Sequence, residues 1–369
     1  MCATCAPFNY DKRFQTADLS GRVALLTGGR VKIGYQAGIM LLRSGVELVV
    51  TTRFPRDAIR RYAEEPDFGD WGDKLHVLGL DLRHTPSVEV LTHHLTETLG
   101  RLDFIIHNAC QTVRRPAGWY AHLLPFEEAP IASLPAGARD IADEHEAFRS
   151  ALQSSGALAK TEDAQAAAQR TVGLHAAPWL SQLALLTEDL EASDALFPSG
   201  ALDQDQQQID LRDKNSWRMT LQEVPTVELF EVFLVNAVAP FVMNARLKSL
   251  MLRHPSQDKH IVNVSAMEGQ FYRSWKTDKH PHTNMAKAAL NMMTRTSAQD
   301  YVKDGVHMNS VDTGWVTDED PAKIAERKKE ENGFSPPLDI VDGGARILDP
   351  ICDVMNTSEH VGGLSLIHF

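Results

Sequence analysis

Apolar and polar positions along the chain follow two alternating periods. Arg22 to Thr27 (RVALLT) is a short apolar run that stops at two glycines, and Tyr35 to Arg43 then spaces its apolar residues as a helix does. Glu47 to Thr52 (ELVVTT), Lys74 to Leu80 (KLHVLGL) and Leu102 to His107 (LDFIIH) are further strand-like runs, with a helical stretch around Val88 to Leu99 before the last. Short, nearly continuous apolar strands alternating with helices predict an α/β fold, a parallel sheet covered by helices on both faces.

The alternation stops at Arg114. From there to about Gln222 the chain is rich in Ala, Gln and acidic residues and carries Pro116, Pro125, Pro130, Pro135, Pro178 and Pro198, so an insertion is predicted at about 115–222. Within it, Ala138 to Leu152 and Thr161 to Leu190 predict amphipathic helices, and Gly200 to Asp210 (GALDQDQQQID) predicts a solvated loop. The pattern resumes with a long apolar helix at Val227 to Leu250, interrupted at Pro240, and a strand at His260 to Val264. A helix from about Thr283 to Val302, a strand at His307 to Val311, a helix at Gly343 to Val354 and a last strand at Leu364 to Phe369 complete it. The expected organisation is an arm at 1–18 followed by one domain at 19–369 that the insertion interrupts.

Composition narrows the function. With 369 residues and 43% apolar content the chain can bury a large core, which excludes disorder as its main state. Its 49 acidic and 37 basic residues give a formal charge of -12, so neither nucleic acid nor an anionic membrane is an expected partner. Four cysteines do not make a disulfide scaffold and fit a reducing, cytoplasmic compartment. The N-terminus lacks the apolar core of a signal peptide, and no later stretch comes near the roughly 18 to 20 apolar residues of a membrane span. Cys2 and Cys5 form half of a zinc site without evident further ligands; two exposed thiols and no metal are expected.

Candidate chemistry begins at TGGRVKIG (Thr27, Gly28, Arg30, Lys32, Ile33 and Gly34 among its residues), where the first strand turns into a helix. Glycines there allow positive φ and close approach to a pyrophosphate, and the free N–H groups of the helix start attract its charge. A purely structural turn is the alternative. Arg53 and Arg56 follow the second strand where a carboxylate would bind the ribose of NAD; cations there suit the 2′-phosphate of NADP, the alternative being ordinary surface arginines. Asp81, after the third strand, is a candidate acceptor for the adenine amino group or a helix-capping or turn aspartate.

At this point the chain resembles the short-chain dehydrogenase/reductase family. The matching segments are TGGRVKIG, Asp81 with Leu82, NAC at Asn108, Ala109 and Cys110, Asn236 in the long helix, IVNVSAMEG at Ile261 to Gly269, NMAKAAL at Asn284 to Leu290, and NSVDTGWVTD at Asn309 to Asp318. The resemblance covers about Leu19 to Arg114 and Val224 to Phe369. It implies a Rossmann-type doubly wound sheet, a nicotinamide dinucleotide, and a substrate cleft at the carboxyl ends of the strands. It further implies that Asn108 steadies the fourth strand, that Gly314 and Thr317 lie at the nicotinamide end, and that long helices pair in a homodimer or homotetramer. Two departures touch this site: Lys32 stands where the family has a glycine, and Thr313 where it has a proline. Lys32 is expected to pair with a phosphate.

The family's proton donor is a tyrosine four residues before a lysine, assisted by a serine and by an asparagine of the long helix. Lys287 and Asn236 match the lysine and asparagine. Thr283 occupies the tyrosine position and Ala266 the serine position, with Ser265 one residue early. In the longer segment MEGQFYRSWKTDKHPH the replacement acids are Tyr272, His280 and His282, with Tyr272 ahead of His282; each is otherwise a solvated loop residue. Lys287 can also bind the nicotinamide ribose. Cys110 reads as a small buried residue, and Trp119 and Tyr120 as either pocket lining or packing. The expected activity is NADP-dependent oxidoreduction of a small molecule, a carbonyl or alcohol or an activated double bond, with NAD the less suited cofactor. The alternative is a non-catalytic NADP-binding sensor or scaffold.

Overall fold

A computed structural model describes residues 3, 5–154, 164–190, 193–272, 276–333 and 335–364. Six strands, β1 (Val23–Thr27), β2 (Glu47–Thr52), β3 (Leu75–Gly79), β4 (Phe104–His107), β5 (Lys259–Ser265) and β6 (Val306–Asp312), form one sheet in the order β3-β2-β1-β4-β5-β6. Every pairing is parallel. Thr27 is in register with Thr51 and His107, so the carboxyl ends of β1, β2 and β4 share one rim. The chain leaves β1 toward β2 on one side and returns to β4 on the other, and the crevice between β1 and β4 is the switch point where open α/β sheets take ligands.

The helices of eight residues or more are α1 (Cys5–Lys12), α2 (Lys32–Arg43), α3 (Pro55–Ala63), α4 (Thr85–Thr98), α5 (Arg139–Ser154), α6 (Ala164–His175), α7 (Thr226–Met251), α8 (Pro281–Tyr301), α9 (Ala322–Asn332) and α10 (Ile340–Thr357). Apolar faces of α2, α3 and α10 (Leu41, Ile59, Ile347) join Leu26, Val50 and Phe104 in one core. On the opposite sheet face, Leu91 of α4, Met243 and Leu247 of α7 and Ala298 of α8 meet Leu25, Val49 and Ile261. The doubly wound sheet is thus built as its near-continuous strands predict. Gly343 and Gly344 let α10 approach α2 closely: a Cβ on Gly343 would stand 2.9 Å from Ile33, and one on Gly344 3.2 Å from the Ala37 nitrogen.

Several expectations change. The long helix is not interrupted at Pro240. It continues through a π-helical turn at Leu234–Val238, immediately before the proline, and this wider turn accommodates both the missing N–H and the ring's crowding of the preceding turn. By length and composition α7 is also apolar enough to cross a membrane, contrary to the estimate that no stretch comes near that length. Here it is a framework helix: Val232, Met243, Leu247 and Leu250 are buried, and Glu228, Glu231 and Asn236 all bond within the protein. The stretch from Thr161 to Leu190 divides into α6, a turn at Ala177–Leu180 and a 3-10 turn at Thr187–Leu190, because Pro178 cannot continue α6; residues 161–163 lie outside the described residues. Gly200 to Asp210 is a solvated loop only in part: Leu202, Asp203, Gln204 and Gln206 are exposed, whereas Gln207, Gln208 and Asp210 are buried.

The N-terminal arm contains α1, docked on α10 through ion pairs of Lys12 with Asp349 and of Arg13 with Asp339 and Asp342, and through Arg346 to Asn9. At the other terminus, Gly363 donates to the Met308 carbonyl and Ser310 to that of Leu364, extending the β6 edge; residues 365–369 of the expected last strand lie outside the described residues.

Candidate active site

The switch point is built by the turn after β1. Gly28 has φ 70, and Gly34 sits so tightly that a Cβ would come 2.2 Å from both Asn108 Nδ2 and the Gly28 oxygen. Asn108 Nδ2 donates to the carbonyls of Thr27 (3.3 Å) and Gly28 (3.0 Å), and Ala109 N–H donates to Thr27 Oγ1 (3.1 Å), which ties β4 to the turn. Lys32 has φ 54, the left-handed backbone a glycine takes most easily, so the turn keeps its course although a side chain is present. No side chain caps the start of α2 and its first turn holds no acid, which leaves the helix N–H groups available to an anion. Lys32 lies within electrostatic reach of Asp205 and Glu319, two carboxylates that sequence reading did not connect with it.

At the end of β2, Arg53 and Arg30 both hold their guanidinium groups over the Phe54 ring, 5.7 and 5.3 Å from its centroid. Arg53 donates to Tyr120 Oη at 2.6 Å, and Arg30 pairs with Asp57 at 2.6 Å and with Gln207 Oε1 at 3.1 Å. Trp119 and Tyr120 pack with Phe54, Leu123 and Phe197 in a buried cluster. Arg56 is not available to a nucleotide as expected: it donates to the Ala129 carbonyl and to Glu146 (2.9 Å) of the insertion. Of the two readings of Asp81 the structure shows the turn aspartate, its Oδ1 accepting the Arg83 N–H at 3.0 Å. Arg83 binds both its carboxylate oxygens and bridges to Glu231 (3.0 Å), while Leu82 beside it is buried. Burial alone would raise the Asp81 pKa, but the adjacent Arg83 holds it below the usual carboxylate range.

At the other end of the rim, the π turn of α7 presents Asn236, whose Nδ2 donates to the Gln111 carbonyl (3.1 Å) and whose Oδ1 accepts Gln111 N–H (2.8 Å). Buried Lys287 donates to the Val264 carbonyl at 2.7 Å. One helical turn earlier Thr283 is buried, and so is Ser265 at the end of β5; the hydroxyl oxygens of both lack a hydrogen-bond partner. Thr317 donates to Glu319 (2.8 Å), and Gly314 has φ 74.

The structure does not bring the replacement acids to this point. Tyr272 is fully exposed. Its phenol was expected to reach the reacting atoms on a loop, but the loop carries it into solvent. His282 stands five residues before Lys287, about 140° around the helix, and its Nε2 faces Glu228 Oε1 at 3.3 Å, both side chains being buried. His280 has φ 40 and stacks on Trp217, with ring centroids 3.8 Å apart. Cys110 is exposed, not buried, because β4 ends at His107 and the chain has already left the sheet. Cys2 lies outside the described residues and the Cys5 thiol is exposed. Sequence reading also missed Glu231, which accepts from Arg83, Arg114 (3.0 Å) and Gln111 (3.1 Å); an acid inside an otherwise apolar helix was the available signal.

Comparison with known proteins agrees with this geometry. Residues 22–122 match the family model for short chain dehydrogenases, and residues 214–336 match one described as enoyl-(acyl carrier protein) reductase. The chain belongs to the short-chain dehydrogenase/reductase family of oxidoreductases. The two matches flank most of the insertion. An uncharacterized protein of Acanthamoeba polyphaga mimivirus is 28% identical over 361 residues, a match that covers 95% of this chain and 67% of the viral one. The (+)-neomenthol dehydrogenase of Capsicum annuum is 37% identical over 93 residues, 24% of this chain and 29% of that enzyme. Among solved structures, the Pseudomonas aeruginosa RhlG/NADP active-site complex superposes with TM-score 0.56 at 15% identity, covering 95% of each chain. A short-chain dehydrogenase of Streptomyces avermitilis superposes with TM-score 0.53 at 13% identity, covering 95% of this chain and 89% of the other. At these identities the structural likeness establishes the dehydrogenase/reductase fold.

Proposed function

We propose that this short-chain dehydrogenase/reductase is NADP(H)-dependent and transfers hydride to an activated double bond. One observation carries the reading: the uncapped start of α2 behind the Gly28–Gly34 turn shares a rim with Lys287, Asn236 and the unpartnered hydroxyls of Ser265 and Thr283. An anionic pyrophosphate fits the first feature, and a polar riboside and substrate fit the second. Arg53, whose hydrogen bond is to the neutral Tyr120 phenol, favours NADP over NAD by charge. The bound cofactor supplies the hydride.

The chain's own groups then determine the acceptor. The Lys287 ammonium provides positive potential at the rim where negative charge develops on the substrate. Asn236 fixes the backbone of Gln111 beside it. No phenol stands four residues before Lys287, and a threonine hydroxyl does not donate a proton readily at neutral pH. A conjugated carbonyl suits such a site: hydride adds at the β-carbon, the electron pair moves to the carbonyl oxygen as an enolate, and water protonates the α-carbon. The solvent position of Tyr272 favours a second reading, a family member that binds NADP without turnover.

NADPH oxidation against a panel of enones, enoyl thioesters and simple ketones tests both readings. Turnover of conjugated acceptors, lost in Lys287→Met and retained in Tyr272→Phe, is expected. Nucleotide binding without oxidation of any acceptor supports the second reading, and absence of binding refutes both.

A further inference from the structure

Residues 203–219 of the insertion run along the same rim as the dinucleotide proposed above. The segment starts as a turn in which Asp203 Oδ1 accepts the N–H groups of Asp205 (2.9 Å) and Gln207 (2.8 Å), with Gln206 at φ 55. Over α3, Arg61 donates to the carbonyls of Asp205 (3.4 Å) and Gln206 (3.2 Å). At the glycine turn, Gln207 accepts from Arg30 (3.1 Å) and Asp205 lies within electrostatic reach of Lys32. Beyond β4, Asp210 pairs with Arg115 and Ser216 Oγ accepts the Arg114 N–H (3.0 Å). Past β6, Asn215 donates to the Glu319 carbonyl (2.8 Å) and Arg218 pairs with Asp320 (2.6 Å). The segment ends where His280 N–H donates to the Met219 carbonyl (2.8 Å) at the start of α8.

This sequence of anchors, from the β2 end past the β1 turn to the ends of β4 and β6, is the course a dinucleotide takes across a switch point. The strap is also chemically matched to it. An amide oxygen and two backbone carbonyls add to the bonds that Arg30 and Arg61 make with Asp57, and the Asp205 carboxylate lies within electrostatic reach of Lys32 at the glycine turn. Gln207, Asp210, Asn215 and Ser216 are buried against the rim, while Asp203, Gln204, Gln206, Asp213 and Lys214 face solvent, so the segment lies across the surface of the groove, held by its buried residues. We propose that residues 203–219 form an internal competitor that holds the nucleotide groove closed, and that NADP(H) enters by displacing the Asp203–Gln207 turn from Arg30 and Arg61.

The proposal rests on the NADP(H) reading, and the test separates the two. NADPH and NADH affinities are measured by calorimetry on the full chain and on Gln207→Ala and Asp203→Ala, and backbone hydrogen exchange is followed on the wild type with and without NADPH. Loss of the Arg30 contact in Gln207→Ala, and of the carboxylate that holds the turn in shape in Asp203→Ala, should each tighten NADPH binding by about tenfold. NADPH should speed exchange across residues 203–210 in the wild type, a readout that does not depend on how the variants fold. Unchanged or weaker NADPH affinity in variants that retain the wild-type circular dichroism overturns the proposal. So does protection of residues 203–210 on NADPH addition, which would make the strap a cover over bound cofactor; in both cases the cofactor reading survives. If no form binds either nucleotide, the cofactor reading fails and the competitor is refuted with it.

Discussion

Asp57 should be the most costly single carboxylate to remove beside the nucleotide groove. It is 1% exposed and receives three guanidinium groups, Arg30 at 2.6 Å, Arg61 at 2.8 Å and Arg60 at 2.9 Å. Arg30 is itself buried, and its remaining hydrogen bond is to the neutral oxygen of Gln207. Asp57→Ala therefore strands a buried cation, a change that typically costs about 3 to 5 kcal/mol. Asp57→Asn, which keeps the shape and one acceptor oxygen, should cost less. Replacing the pair together, Arg30→Met with Asp57→Leu, should cost less than Asp57→Ala alone, because the most deeply buried of the three cations leaves with its partner, while Arg60 keeps Glu64 and Arg61 keeps the carbonyls of Asp205 and Gln206.

The pH dependence has a definite sign. Burial alone would raise the Asp57 pKa, but Arg30 and Arg61 overcome it and hold the carboxyl well below the usual carboxylate range. A depressed folded-state pKa contributes stability that is fully present above the unfolded value, about 4, and is lost as pH falls through the folded value. The difference between wild type and Asp57→Ala should accordingly be flat from about pH 5 to pH 8 and shrink only in stronger acid. Urea denaturation followed by circular dichroism at several pH values measures it. A loss under about 1 kcal/mol at neutral pH, or a difference that shrinks as pH rises, would refute the reasoning.

Three further outcomes are expected. Burial pushes the Glu127 carboxyl up to about 7, although it accepts the N–H groups of Asp57 and Arg56; the folded state therefore holds a proton the unfolded chain releases, and stability should fall between about pH 4.5 and pH 7 relative to Glu127→Gln. Denaturation midpoints of the two proteins that stay parallel across that window would contradict this. Lys32→Gly should relieve the left-handed backbone and, after the entropy glycine adds to the unfolded chain, gain about 0.5 to 1 kcal/mol in the same assay; a net loss would show that the Lys32 side chain is needed beside Asp205 and Glu319. Phe230 and Phe241 of α7 and Met285 and Met292 of α8 are each at least half exposed, so two copies should pair through this face. Light scattering should report a dimer that Phe241→Asp dissociates, and a monomeric wild type would rule the pairing out.

The strands, the glycine turn and the order of helices were legible because each depends on local period and on residues adjacent in the chain. The π turn before Pro240 was not, since it depends on how two neighbouring turns share a missing N–H. The candidate site was legible only in part. Asn236 and Lys287 come from recognisable segments, and the structure places both at the rim. Arg56 was misjudged, and the two readings of Asp81 could not be told apart, because their partners, Glu146 and Arg83, set their availability and spacing along the chain does not reveal such partners. GALDQDQQQID looks solvated by composition. Its buried amides are nonetheless satisfied, Gln207 by Arg30 and Gln208 by the carbonyls of Pro198 and Ala201, and no local pattern encodes those contacts.

The adjacency of β4 and β5 also affects the order in which the molecule assembles. Their partners Phe104 and His260 are roughly 150 positions apart, so a long, partly structured excursion must be closed before the second half of the sheet can zip onto the first. Compared with a direct crossover of about 45 residues, that closure costs roughly 1 kcal/mol more. Lost chain entropy slows nucleation of such distant contacts far more than it weakens the finished sheet. Early ordering of α5 and α6 against β3 would shorten the remaining gap, which gives the excursion a kinetic role as a spacer that folds onto the first half of the sheet while the second half is still unpaired.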